Sequence, residues 1–250
     1  QADKYHVPRI IFINKMDKLG ANFEGTLAAI KDRLGSKPVV LAVPIGSEQQ
    51  FRGIVLVLER KALIWEGDLP TGKVGEAGGT YSEEEVPEDL KAMVEKYRSQ
   101  TIETISETDE QLLEKYVGGV EPDSTELKTA LRAATIKTEL FPTFCGSSLR
   151  NKGVQPLLDA VVEYLPSPID LPPVKGVWDG QEEERRVGNE EPLSALAFKV
   201  QTDPHVGRLV WLRIYSGKLR AGQEVFNTTK NRRERVGRLV LMHANQRELI

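Results

Sequence analysis

The chain is organised around one junction. The β-branched and aromatic run Arg9-Ile10-Ile11-Phe12-Ile13 stops at Asn14-Lys15-Met16-Asp17, and a helical pattern follows. A buried parallel strand reads as a continuous apolar run, and it ends where the chain leaves the carboxyl edge of an α/β sheet. Asn14, Lys15 and Asp17 are therefore predicted at a ligand edge.

An Asn-Lys-x-Asp turn there has a specific chemical use. Guanine carries two adjacent donors, N1–H and the N2 amine, and one ionised carboxylate, that of Asp17, accepts both as a fork. Adenine has no N2 amine and its N1 is an acceptor. A site built this way rejects the wrong base by roughly 10⁴–10⁵. Asn14 is expected to hold the loop and the O6/N7 side, and the methylene stem of Lys15 to cover the base plane. The alternative is a strand-end turn whose polar residues only cap the next helix.

With 250 residues and 40% hydrophobic content the chain can build one large or two ordinary cores. A net charge of -3 gives no hint of a general polyanion binder. Cys145 has no second cysteine to pair with, and His6, His205 and His243 show no metal-binding spacing, which fits a reducing, cytoplasmic compartment. No apolar run reaches the length of a membrane span, and the first residues do not resemble a signal peptide. Val7 enters a buried-type strand almost at once, so the neighbouring strands of its sheet are expected from residues upstream.

Phe23, Leu27, Ile30 and Leu34 share one helical face, with Gly35 as a left-handed cap. From Lys37 the period changes, and the runs 38–44, 53–58 and 62–65 read as three strands of a small sheet. The glycine-rich stretch 67–79 reads as a mobile loop; Gly72-Lys73 lacks the upstream glycine and the following Ser/Thr of a phosphate loop. Pro87 opens a long amphipathic helix through Ile105, a shorter one spans Glu110 to Val117, and Asp123-Ser124-Thr125-Glu126 caps a third. The acidic residues of this block read as a solvated face, with a partner-binding face as the alternative.

The strand signal returns at Leu140 to Phe144 and ends in Cys145-Gly146-Ser147-Ser148. A helix follows with the stripe Val154, Leu157, Leu158, Val161 and Leu165, ended by Pro166. Small residues let the main chain approach a ligand, so backbone N–H groups near Ser147 and Ser148 are expected to meet guanine O6. Prolines 166, 168, 172 and 173 and the polar stretch 179–191 mark a boundary near residue 175. Beyond it, the runs 193–200, 207–217, 224–227 and 235–242 alternate with glycine-containing turns, as in an antiparallel barrel. Arg208, Arg213, Lys218, Arg220, Lys230, Arg232, Arg233, Arg235 and Arg238 make this part basic. That suits RNA phosphates, or it is the solvent side of alternating strands.

Taken together, Asn14-Lys15-Met16-Asp17 with Gly20-Ala21-Asn22-Phe23, Cys145-Gly146-Ser147-Ser148 with Asn151-Lys152-Gly153-Val154, and Ser194-Ala195-Leu196-Ala197-Phe198-Lys199-Val200 with Thr202-Asp203-Pro204 resemble translation elongation factor G. The likeness extends through Arg213-Ile214-Tyr215-Ser216-Gly217 and Met242-His243-Ala244-Asn245, covering nearly the whole chain. It implies an α/β fold: the C-terminal part of a P-loop-GTPase-type parallel-sheet domain (1–172) with an inserted α+β subdomain (about 37–137), a linker (173–191) and the start of an antiparallel β-barrel domain (192–250). Asn14, Lys15 and Asp17 would be the family's guanine-specificity motif, and Gly146, Ser147 and Ser148 its final base-contacting turn; the family usually has alanine where Ser148 stands.

The resemblance further implies GTP/GDP as ligand, Mg²⁺ in the full-length protein only, and the ribosome as partner. The tRNA-mRNA complex would be reached through the full-length protein, which is expected to be a cytoplasmic monomer without membrane association. The phosphate loop, magnesium ligands and catalytic histidine would lie upstream, so this segment is expected to be inactive alone. A ribosome-recycling paralogue carries the same motifs. A non-catalytic RNA- or ribosome-binding module, which would show no preference for guanine, is the other reading.

Overall fold

The computed structural model describes residues 2–65, 80–178, 180–203, 207–243 and 246–250; the stretch 67–79 expected to be a loop lies outside them. The chain divides into two compact units, Gln1–Pro166 and Ser167–Ile250. The fold is mixed α/β, with a parallel sheet in the first unit and antiparallel strands in both.

In the first unit, β1 (Ile11–Ile13) leads through the polar turn to α1 (Phe23–Leu34). Asn22 caps that helix by accepting the Gly25 N–H at 2.8 Å, and Gly35 ends it at φ +58°. Phe23 and Leu27 are its buried face, and the Phe23 ring meets that of Tyr97 edge-on.

The run expected as one strand of a small sheet is two strands. β2 (Pro38–Val40) lies in the parallel sheet, and β3 (Ala42–Ile45) begins an antiparallel one that continues with β4 (Gly53–Leu56), β5 (Lys61–Trp65) and β6 (Tyr81–Glu85). Leu41 makes the transfer, donating to Thr143 C=O at 2.9 Å while its own C=O accepts from Val57 N–H at 2.9 Å. Sequence pattern could not divide this run, because residues 39–43 are all buried.

Three helices follow, α2 (Lys91–Ser106), α3 (Glu110–Val117) and α4 (Ser124–Ile136), the last opened by a complete Asp123/Glu126 capping box. β7 (Phe141–Cys145), buried throughout, then enters between β1 and β2, giving the parallel order β1-β7-β2. It leads to α5 (Val154–Tyr164). The buried row of α5 is Pro156, Ala160 and Tyr164, while Leu158 and Val161 of the expected stripe are exposed. Two small residues at i and i+4 allow close approach to the neighbouring helix, and Tyr164 supplies the large buried area.

The second unit consists of antiparallel ribbons. The segment expected as a linker, 173–191, contains the hairpin β8 (Val174–Trp178) and β9 (Gln181–Arg185), stitched by Lys175–Glu184 at 3.2 Å. Its second strand hides it, because Gln181–Arg185 is polar throughout and shows no apolar alternation. β10 (Ser194–Asp203) pairs with β11 (Gly207–Ser216), β12 (Glu224–Asn227) with β13 (Arg232–Arg235), and β14 (Val240–His243) with β15 (Gln246–Leu249). The single strand expected over 235–242 is thus broken: after Arg235, Val236 still bonds Gln223, and pairing resumes at Val240 with a different partner.

Candidate functional site

The two polar turns singled out in the sequence meet because β1 and β7 are parallel neighbours in register, Ile13 opposite Cys145. Asn14 and Gly146 therefore leave the same sheet edge side by side. The ladder runs on past both strands, with Gly146 N–H donating to Ile13 C=O at 3.0 Å and Met16 N–H to Gly146 C=O at 3.1 Å. Only glycine fits at 146, where a Cβ would lie 2.3 Å from Lys152 O and 2.8 Å from Phe12 Cζ.

Asn14 is the clasp. Its Oδ1 accepts from Lys15 N–H at 2.7 Å and Ser148 N–H at 3.0 Å, and its Nδ2 donates to Ser148 Oγ at 2.9 Å. Lys15 sits at φ +63°, a left-handed conformation that costs a residue with a side chain about 1–2 kcal/mol. The Asn14 amide holds it there. Ser147 is fully buried, its N–H given to Lys152 C=O at 2.9 Å with a return bond at 3.0 Å. Both backbone donors expected to meet a base oxygen are thus engaged within the protein: Ser147 with Lys152, and Ser148 with Asn14. A base oxygen would have to share the Ser148 donor with Asn14 Oδ1.

Asp17 is the unusual group. Its side chain is 1% exposed, and both carboxylate oxygens are buried without any donor in hydrogen-bonding geometry. Burial pushes the carboxyl up, but the neighbouring Ser147 hydroxyl, its own backbone and Lys18 outweigh that and hold it below the usual carboxylate range. Arg150 Nε at 3.2 Å and Lys18 Nζ at 3.4 Å are the cations beside Oδ2. A carboxylate kept ionised while buried suits a ligand that offers two adjacent N–H donors.

The structure brings together all six residues expected at the site, Asn14, Lys15, Asp17, Gly146, Ser147 and Ser148. It also adds Arg150, which no sequence pattern could place because its contact depends on the 146–152 turn folding back on itself. A cleft of about 350 Å³ adjoins the loop on the side of α1, lined by Asn14, Lys15, Met16, Lys18, Asn22 and Thr26 among others. Asp17 and the 146–148 turn do not line it, so the Asp17 edge and this cleft are separate features. Among the described residues no cluster of His, Cys, Asp or Glu could hold a metal ion, and no helix is long and apolar enough to cross a membrane.

Residues 1–167 match the model of the elongation factor Tu GTP-binding domain. The chain belongs to the translational GTPase family. Residues 192–250 match elongation factor G domain 2, so the two domain types of this family follow one another in the sequence. A solved structure from Thermus thermophilus is similar over 100% of the chain, with 28% identity and a TM-score of 0.75. The chain spans 33% of that relative's length.

Proposed function

We propose that this chain is the base-recognising part of the GTP-binding domain, followed by the start of the second domain, of a ribosome-dependent GTPase resembling elongation factor G. The observation that carries the reading is the buried Asp17 carboxylate, held below the usual carboxylate range beside the 146–148 turn, with Arg150 and Lys18 at Oδ2. Its Oδ atoms accept N1–H and N2–H of guanine once Arg150 and Lys18, which flank Oδ2 at 3.2 and 3.4 Å, swing aside. Asn14 fixes the turn that faces the base, and Ser148 N–H, now on Asn14 Oδ1, is shared with O6. The stem of Lys15 and the side chain of Leu149, 66% exposed, offer apolar surface to the two ring faces.

Phosphate binding, Mg²⁺ and cleavage belong to parts of the parent protein outside these residues, so the chain alone is expected to hydrolyse no GTP. In the parent, hydrolysis would drive movement of tRNA and mRNA on the ribosome in the cytoplasm. The succession of a GTP-binding domain and an elongation factor G second domain supports this role over that of a bare RNA-binding module.

The test is nucleotide preference of the parent protein and of its Asp17→Asn variant. GTP affinity should fall by roughly 10²-fold or more, and affinity for xanthosine triphosphate, whose C2 carbonyl meets the new amide donor, should rise. An unchanged base preference would refute the reading.

A further inference from the structure

Glu48 lies on the turn between β3 and β4, far from the base-recognition loop in sequence, yet it holds that loop at two points. Its backbone N–H donates to Met16 C=O at 2.8 Å, and its carboxylate Oε1 accepts from Gly20 N–H at 2.7 Å. Met16 and Gly20 bracket Asp17. The N–H of Met16 is in turn given to Gly146 C=O at 3.1 Å, and its side chain is buried. The peptide groups of Met16 are therefore fixed on one side by the 146–148 turn and on the other by Glu48.

The turn carrying Glu48 is built to stay still. Glu48 itself is at φ +56°, a strained backbone for a side-chain-bearing residue, and such strain persists where surrounding contacts over-determine it. Gly46, at φ +77°, brings the chain so close that a Cβ would stand 2.2 Å from Gln50 O. Phe51 N–H closes the turn onto Glu48 C=O at 3.2 Å, Arg52 N–H reaches Ile45 C=O at 3.1 Å, and the Phe51 side chain is buried beneath. A residue held in this way can impose its geometry on a loop whose Asn14, Lys15 and Lys18 are otherwise solvent-exposed.

We propose that Glu48 is a positioning residue for guanine specificity: it sets the carboxylate of Asp17 by pinning both flanks of the loop, and so ties base recognition to the inserted antiparallel sheet. The inference rests on Asp17 reading N1–H and N2–H. Loss of the Glu48 carboxylate frees Gly20 and lets the Asp17 fork drift from coplanarity with the base. The N2 contact, at the far side of the fork, is then weakened most. Inosine nucleotides lack the N2 amine and have less to lose.

The experiment compares equilibrium affinities of GDP and IDP for the parent protein, measured by competition, in wild type, Glu48→Ala and Glu48→Gln. Both nucleotides carry the same phosphates, so damage elsewhere in the fold shifts them equally. Glu48→Ala should lower the GDP-to-IDP affinity ratio by roughly three- to tenfold, and Glu48→Gln, which keeps an acceptor for Gly20 N–H, should restore most of it. An unchanged ratio in Glu48→Ala, or equal weakening of both nucleotides, overturns the proposal. Asp17→Asn serves as the separate control: if it fails to move preference from guanine to xanthine nucleotides, the underlying reading of Asp17 falls, whatever Glu48 does.

Discussion

The two units of this chain treat apolar surface in opposite ways. On β3, β4 and β5 of the first unit, Val43, Ile54, Val55 and Ala62 have no exposed surface at all. Among the described residues of the second, only Ser216 is buried, and Leu196, Phe198 and Val200 of β10 remain 53%, 58% and 62% exposed. A two-stranded ribbon is marginal by itself, whereas a sheet covered on both faces is not. The turns at Asn14 and Gly146 leave strands of the first unit, whose β1-β7-β2 sheet lies beside this buried antiparallel one.

The largest expected difference between the units is in core substitutions. Ile54→Ala should cost about 2–5 kcal/mol, because removing a buried side chain leaves a void, while Phe198→Ala should cost less than about 1 kcal/mol. Hydrogen exchange at β4 and β10 amides measures both, and equal losses would break the contrast. Next comes Asn14→Ala, which removes the clasp between the two turns. Guanine nucleotide affinity should fall roughly ten- to a hundredfold with little change in melting temperature, since the cost lies in unset hydrogen bonds at an exposed loop and not in the core. A large melting shift would mean that the loop supports the framework and not the reverse.

The smallest effect is electrostatic. The guanidinium of Arg98 bonds Glu121 and that of Arg60 bonds Glu95, each holding its carboxyl below the usual glutamate range. A depressed folded pKa contributes stability that is fully present above the unfolded value, about 4.3, and is lost as pH falls through the folded value. Acid should therefore loosen the segment between β2 and β7 first, and Glu121→Gln should flatten that dependence. Glu234 of the second unit is also lowered, by Arg232, but this pair is exposed and should be screened by salt. Thermal melts between about pH 3 and pH 6 at two salt concentrations separate the two.

Asn14 and Asp17 are legible in the sequence because their signal is local: an apolar run, an abrupt polar stop and a helix all sit within a few residues. The 146–148 turn is legible for the same reason, and the parallel pairing of the two strands follows from their type. The contacts that adjust the site are not. Glu48 and Arg150 act across a turn or between two sheets, where register, not composition, decides who meets whom. β6 is hidden because Tyr81-Ser82-Glu83-Glu84-Glu85 is an edge strand that carries charge outward, with Glu83 paired to Lys61 on β5. The basic character of the second unit is legible as composition, but the structure uses part of it locally, Lys218 on Glu190, Arg232 on Glu234 and Arg233 on Glu224.

Leu41 gives its N–H to one ladder and its C=O to another. A single residue thus acts as the rivet between the inserted sheet and the sheet it interrupts, so a sideways push on either one is felt by the other without travelling through any flexible tether. The insertion is in this respect a graft fused at the grain, and a force applied to it from outside has a stiff route to the strand that carries Gly146.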